Sequence, residues 1–124
     1  MSAERVRIAL PCSTRFAGVA RTAVAACGVV EGFSVDEIGD LRLLVDEVFL
    51  AMYQLGVEEI ELVVTADHGH LRVALDATGR TGGPRGPTDT AFAETLAAVV
   101  ADDVHFDLDA ANPSFAASVV TGLG

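Results

Sequence analysis

Near the start of the chain, apolar Val6, Ile8 and Leu10 alternate with Arg5, Arg7 and Ala9. A period of two marks a strand with one buried face, and Pro11 is expected to stop it. The period then lengthens. Phe16, Val19, Ala20, Ala23, Val24 and Cys27 recur at helical spacing, which predicts a helix capped by Ser13 or Thr14 and closed at Gly28. A second helix begins at Ser34, whose hydroxyl is followed three residues later by Glu37 in the spacing of a capping box. Ile38, Leu41, Leu44, Val45, Val48, Phe49 and Met52 carry its apolar stripe towards Gly56.

Two strands are expected over 60–65 and 71–75, with Asp67, His68, Gly69 and His70 as the hairpin turn between them. Glycine and proline dominate from Ala77 to Thr88, which predicts a loop. Asp89 or Thr90 then caps a third helix that runs to about Val100. Strands over 103–108 and 115–121 follow, joined by a turn at Ala111, Asn112 and Pro113. The order β-α-α-β-β-loop-α-β-β shows no internal repeat and no linker. It predicts one domain over residues 1–124, an α+β two-layer sandwich with a mostly antiparallel mixed sheet and its helices on one face.

Composition narrows the function classes. The chain is 51% hydrophobic, with no Trp and one Tyr, so its core is built on Ala, Val and Leu. Its net charge of −10 repels phosphate backbones and argues against direct nucleic-acid binding. The same charge suits a basic protein partner, and it equally serves solubility. Cys12 and Cys27 form no CxxC or Cys/His cluster and are expected to be reduced, buried thiols; His68, His70 and His105 are scattered, so no metal site is expected. The N-terminal residues lack a signal-peptide pattern and no apolar run reaches membrane-spanning length. The expectation is a cytoplasmic protein without a membrane anchor.

Two features offer chemistry. Asp46 and Glu47 stand together on the second helix, and Glu47 is three residues from both Leu44 and Leu50, at the edge of the buried face. A carboxylate there can hold Mg²⁺ or act as a general base; it also fits a solvated helix face ion-paired to Arg42 or Arg72. Gly79, Gly82, Gly83 and Gly86 precede the third helix, as in loops that wrap phosphates. Neither GxxxxGK[ST] nor GxGxxG is present, and Pro84 and Pro87 remove two N–H donors, so a connector fits as well. Arg80 and Arg85 keep the phosphate reading open.

The run from Asp40 to Ala51, DLRLLVDEVFLA, resembles the N-box helix of the anti-sigma factor serine kinases, a branch of the histidine-kinase-like (GHKL) ATPases. The family pattern there is roughly D-L-(K/R)-x-x-V-x-E-x-x-x-N. The helix from Phe16 to Ala26, with Arg21, resembles the family's first helix, and Ala101 to Val104 resembles its (M/A)-D-D-V strand entry. The resemblance implies a histidine-kinase-like ATPase fold, with Glu47 as the residue that activates the phosphorylated serine. It implies a sigma factor and a STAS-domain anti-anti-sigma factor as partners, and a homodimer as the assembly. Arg15 and Arg21 of the first helical segment are then the candidate partner contacts, with Arg21→Glu expected to weaken binding while leaving the melting temperature almost unchanged.

The sequence departs from this pattern at all three nucleotide elements. Ala51 stands where the N-box Asn would hold Mg²⁺. The first glycine box, near D-x-G-x-G, retains only Asp76 and Gly79, with the wrong gap, as candidates for ATP. Ala91, Phe92 and Ala93 replace the second, G-x-G. These departures imply an anti-sigma factor that has lost its kinase activity and uses no cofactor, Glu47 being vestigial. The alternative is an active ATP- and Mg²⁺-dependent serine kinase of the antagonist, and a further one is a partner that no longer reaches a sigma factor.

Overall fold

The computed structural model describes residues 3–87, 89–108 and 111–122. Its elements are β1 (Glu4–Pro11), α1 (Ala17–Val30), α2 (Val35–Gln54), β2 (Val57–Asp67), β3 (His70–Thr81), α3 (Ala91–Val100), β4 (Asp103–Asp107) and β5 (Ser114–Val120). The strands form one sheet in the order β1-β2-β3-β5-β4, and all four pairings are antiparallel. Side chains of one strand phase are buried. Ile8, Leu62, Leu75, Phe115 and Phe106 lie in register across all five strands and join the core beneath the helices. The architecture is the α+β sandwich that the alternation of periods predicts.

The boundaries move for local reasons. Pro11 belongs to β1 instead of ending it, because β1 is an edge strand where a missing N–H breaks no ladder bond. α1 starts at Ala17, later than Ser13 or Thr14 would place it. Residues 13–16 make a turn in which the Phe16 N–H donates to the Ser13 carbonyl at 3.0 Å, and Phe16 caps the helix with no side-chain bond. Gly28 does not end α1. It is buried inside the helix, where a β-carbon would come within 3.2 Å of Ile38 and 3.6 Å of Leu41. Its role is to let α1 and α2 approach; the left-handed residue that terminates the helix is Gly32, at φ 80°.

β3 runs on through Thr81 and absorbs the first part of the segment expected to be a loop. Thr78 and Thr81 pair with Glu59 and Val57, with a register shift between those pairs that Gly79 accommodates at φ 70°. The hairpin is as expected, with His68 and Gly69 both left-handed at φ 47° and 76°. Asp89, not Thr90, supplies the side-chain bond at the start of α3, accepting from the Ala91 N–H at 2.9 Å. Thr88 and part of the β4–β5 connection lie outside the described residues. Both cysteines are free thiols, Cys12 buried and Cys27 half-buried; burial pushes the Cys12 thiol up to about 11 against the opposing pull of Arg85. Among the described residues no helix is long and apolar enough to cross a membrane.

The capping box at Ser34 forms in full, and its carboxylate does more than cap. Glu37 accepts from the Ser34 N–H at 2.8 Å, from the Thr121 hydroxyl at 2.9 Å and from the Gly122 N–H at 2.7 Å. It therefore fastens the start of α2 to the end of β5. Glu31, just past α1, accepts from the Gly69 N–H of the β2–β3 turn at 3.1 Å, so a second carboxylate ties the helix layer to the same end of the sheet. The Ser34 and Gly122 N–H groups hold the Glu37 carboxyl down at about 2, against 4.5 ordinarily. A depressed folded-state value contributes stability above pH 4.5 that is lost as pH falls through about 2. Thermal unfolding of wild type and Glu37→Gln should therefore differ most near neutral pH, with the variant melting lower, and the gap should close between pH 4.5 and 2. A gap independent of pH would show that the contribution is not electrostatic.

Candidate functional site

α2 carries the candidate chemistry, and helical geometry sends its two adjacent carboxylates to different neighbours. At about 100° per residue, Asp46 and Glu47 flank the buried stripe on opposite sides, while Ala51 belongs to the buried set on the Glu47 side. Asp46 is taken by Arg21 of α1, whose Nη1 donates to both carboxylate oxygens at 3.0 Å. Among the described residues no ion pair joins Glu47 to Arg42 or Arg72, the pairing its sequence position allowed. Arg72 lies on the open face of the sheet, beside Thr65 and Ser118, and Arg42 is exposed next to the pair, where Arg21, Gly39, Arg42, Leu43 and Asp46 line a shallow cleft of about 340 Å³. Arg21 is therefore engaged within the molecule, with its Nε buried and without an acceptor among the described residues. Arg15 precedes α1, is exposed, and stacks over the Phe16 ring at 5.9 Å.

Glu47 is half-buried, and Ala51, one turn further on, is only 4% exposed. α3 packs against α2 through its small residues, Ala93 and Ala97 being buried while Phe92 points outward at 57% exposure. Asp76 is not brought to Glu47. Its register partners are Glu61 and Ser114, which puts it on the open face, away from all three helices. Counting back from Gly79 along D-x-G-x-G, the strand phase that faces the helices places Leu75, 0% exposed, at the Asp position. The mismatched gap in the sequence thus corresponds to a flip of face, because one residue of slip in a strand reverses its side chains. Gly79 itself is exposed in the β3 irregularity.

The glycine-rich segment is committed elsewhere. Arg85 Nη1 donates to the carbonyls of Tyr53 at 2.7 Å and Val57 at 3.0 Å, and its guanidinium lies 4.3 Å from the centre of the Tyr53 ring. Its backbone N–H donates to the Gln54 carbonyl, and the Gly82 N–H to that of Gly56, both at 2.8 Å. A cation at a helix C-terminus satisfies orphan carbonyls and suits the dipole. Gly56, at φ 92°, is needed for this docking: a β-carbon there would collide with the carbonyl oxygens of Gly82 and Gly83. The sequence left a phosphate reading open at Arg80 and Arg85 and did not reveal this clamp; the signal was an arginine in a glycine–proline segment, which does not name its partner.

Substitutions at both contacts test them. Arg21→Glu sets a second carboxylate against Asp46 and should lower stability by about 1 kcal/mol, as befits a partly exposed pair. Combining it with Asp46→Arg should restore most of the loss in a double-mutant cycle read by thermal unfolding. That outcome replaces the sequence-based expectation of an unchanged melting temperature. Arg85→Ala should cost on the order of 1 kcal/mol and free the segment over 82–87. Faster hydrogen exchange at the Gly82 and Arg85 amides, with the α2 interior still protected, would record that release; unchanged exchange would dispose of the clamp.

No family model matches the chain, and no curated protein does. Among solved structures, it is similar to the crystal structure of the RsbU and RsbW domains of Rv1364c from Mycobacterium tuberculosis. The likeness covers 94% of this chain at 16% sequence identity with a TM-score of 0.66, and the chain spans 32% of the other's length. At that identity the likeness is one of fold, the fold of the RsbW domain.

Proposed function

We propose that this chain is an anti-sigma-type regulatory domain that works by binding protein and not by transferring phosphate. It sequesters a sigma factor in the cytoplasm, gives it up to a STAS-domain antagonist, and uses neither ATP nor Mg²⁺ for either step; the family resemblance adds a homodimer as its assembly. The observation that carries this reading is Ala51. The position that would supply a metal-holding amide bears a methyl group, and that methyl is buried at 4% exposure. Methyl carbon offers no lone pair to a hard cation, which takes oxygen ligands.

Two other features support it. The only Asp near the first glycine box, Asp76, faces away from Glu47, with Leu75 in the inward phase. The segment that would close over phosphates is clamped by Arg85 to the end of α2. The fold shared with an RsbW domain supplies the regulatory context, although function resides in sites and not in folds.

The test is a pull-down from the native host's lysate with and without Mg-ATP, read by mass spectrometry, beside calorimetric titration of the purified chain with Mg-ATP. The expected result is a sigma factor or STAS protein retained equally in both conditions and no heat of nucleotide binding. Retention that changes with Mg-ATP, or phosphate transfer to an antagonist serine that Glu47→Ala abolishes, would establish the kinase instead.

A further inference from the structure

The outer side of β1 has no neighbour among the described residues. The strand is regular, pairing with β2 from Glu4 to Pro11 without a register shift, and a regular, unblunted edge is a template for another strand. The Cys12 N–H donates to the Glu58 carbonyl at 2.8 Å in line with that register, which fixes the phase of the strand. Val6, Ile8 and Leu10 turn their backbone groups to β2 and their side chains to the helix layer. Arg5, Arg7, Ala9 and Pro11 turn their backbone outward and their side chains to the open face.

Charge is split between the two ends of this edge. Near its start Arg5 is exposed and joins no ion pair among the described residues. Near its far end Glu59 and Glu61 stand opposite Pro11 and Ala9. There Ala9, Pro11, Glu58, Glu59 and Thr78 line part of a hollow of about 300 Å³. Neither Glu58 nor Glu59 has an ion-pair partner among the described residues. Pro11 lies about 20 Å along the strand from Arg5, too far for Arg5 to reach this hollow in its own molecule. Arg7 does reach its own Glu61, at 3.4 Å in an exposed contact. On the helix side, Ala26, Cys27 and Val30 of α1 border the groove that Glu4, Arg5 and Val6 enter, so no α1 charge opposes an incoming strand there.

A two-fold axis brings the separated charges together. Two β1 strands can pair antiparallel only where outward residues face outward residues. Registers centred on Arg5, Val6 or Arg7 set arginine directly against arginine, which is unfavourable. The register centred on Ile8 does not. Arg7 and the partner's Ala9 then exchange both N–H···O bonds, and the Arg5 N–H donates to the carbonyl of the partner's Pro11. On the helix side Ile8 meets the partner's Ile8, and Val6, 43% exposed, meets the partner's Leu10. On the open face Arg5 points across the partner's Pro11 to the hollow beside the partner's Glu59. Arg7 points across the partner's Ala9 to the partner's Glu61, two strand spacings or about 10 Å away. A small residue stands between each arginine and its glutamate. Like charges remain on the diagonal between the two Arg7 side chains, and each has its own Glu61. Centring on Ala9 also avoids opposed arginines, but it leaves Arg5 beyond the ladder.

We infer that β1 is the surface of a closed two-fold homodimer, one sheet continuous through both copies and centred on Ile8, in which Arg5 and Arg7 of each copy complement Glu59 and Glu61 of the other. The inference rests on the homodimer of the proposed function, to which it gives a surface and a register; the sigma-factor and nucleotide readings do not enter.

Sedimentation of the full chain should show a dimer that grows no further with concentration. Arg5→Glu/Arg7→Glu and Glu59→Arg/Glu61→Arg should each weaken self-association about tenfold or more. An equal mixture of the two variants should recover a heterodimer, since every reversed charge in one then faces a reversed charge in the other; that recovery also shows both to be folded. In a Cys12→Ala/Cys27→Ala background, Ile8→Cys should cross-link copy to copy under mild oxidation, because directly opposed residues lie within disulfide range. Val6→Cys, facing the partner's Leu10, should not. A dimer that persists in both charge variants would overturn the β1 surface and leave the homodimer standing. Cross-linking through Val6→Cys in place of Ile8→Cys would overturn the register. A monomer at every concentration would overturn the surface and the homodimer together, leaving the edge to another protein, and open growth into polymers would overturn the closed two-fold.

Discussion

The helix layer is organised around α2, and α2 is held at each end by an ion of the sign its dipole favours. At the N-terminus the Glu37 carboxylate satisfies the Ser34 N–H and reaches over to Thr121 and Gly122. At the C-terminus the Arg85 guanidinium takes the carbonyls of Tyr53 and Val57. Each contact joins the helix to a segment distant in sequence, the first to the end of β5 and the second to the connection between β3 and α3. The dipole term is modest at exposed sites, a few tenths of a kcal/mol to about 1. Its larger effect is geometric: a helix pinned at both ends cannot slide over the sheet, so α1 and α3 meet fixed surfaces.

Between these pins the helix divides its polar residues by neighbour. Asp46 is spent on Arg21, which locks α1 to α2 beside the close approach made possible by Gly28. Glu47 is left half-buried, without an amide one turn away and without Asp76 on its side of the sheet. The polar groups that flank the buried stripe of α2 therefore serve packing at Asp46 and are left without a partner site at Glu47. The proposal of a binding module draws on this division.

The sequence made the fold legible where periodicity is strong. The stripe of α2, the Ser34 capping box and the His68–Gly69 turn appear where spacing and turn chemistry put them. It was less legible where a residue type has two uses. Gly28 carries the mark of a helix end, but its missing side chain serves a helix crossing. The glycines after Ala77 look like loop, yet pairing with β2 holds the chain in a strand through Thr81. The candidate site was harder. Asp46 and Glu47 are adjacent in sequence, and only the rotation of the helix separates their roles. Asp76 is one residue from the inward phase, a difference that spacing hints at and only strand register decides. The choice of Asp46 over a phosphate or a partner by Arg21 depends on two helices crossing, which no local pattern encodes.

Cys12 lies at the joint where β1 gives way to α1, buried at 2% exposure, with its thiol group 4.0 Å from the Phe49 carbonyl. With its pKa near 11 it is almost wholly protonated at neutral pH, and a protonated, enclosed sulfur is a poor nucleophile. Disulfide reagents in bulk solution therefore reach it at a rate set by transient separation of β1 and α1 from the end of α2, and not by its intrinsic reactivity. The chain carries its own clock for that motion: labelling of Cys12, distinguished from the half-buried Cys27 by peptide mapping, times how often this corner of the molecule breathes.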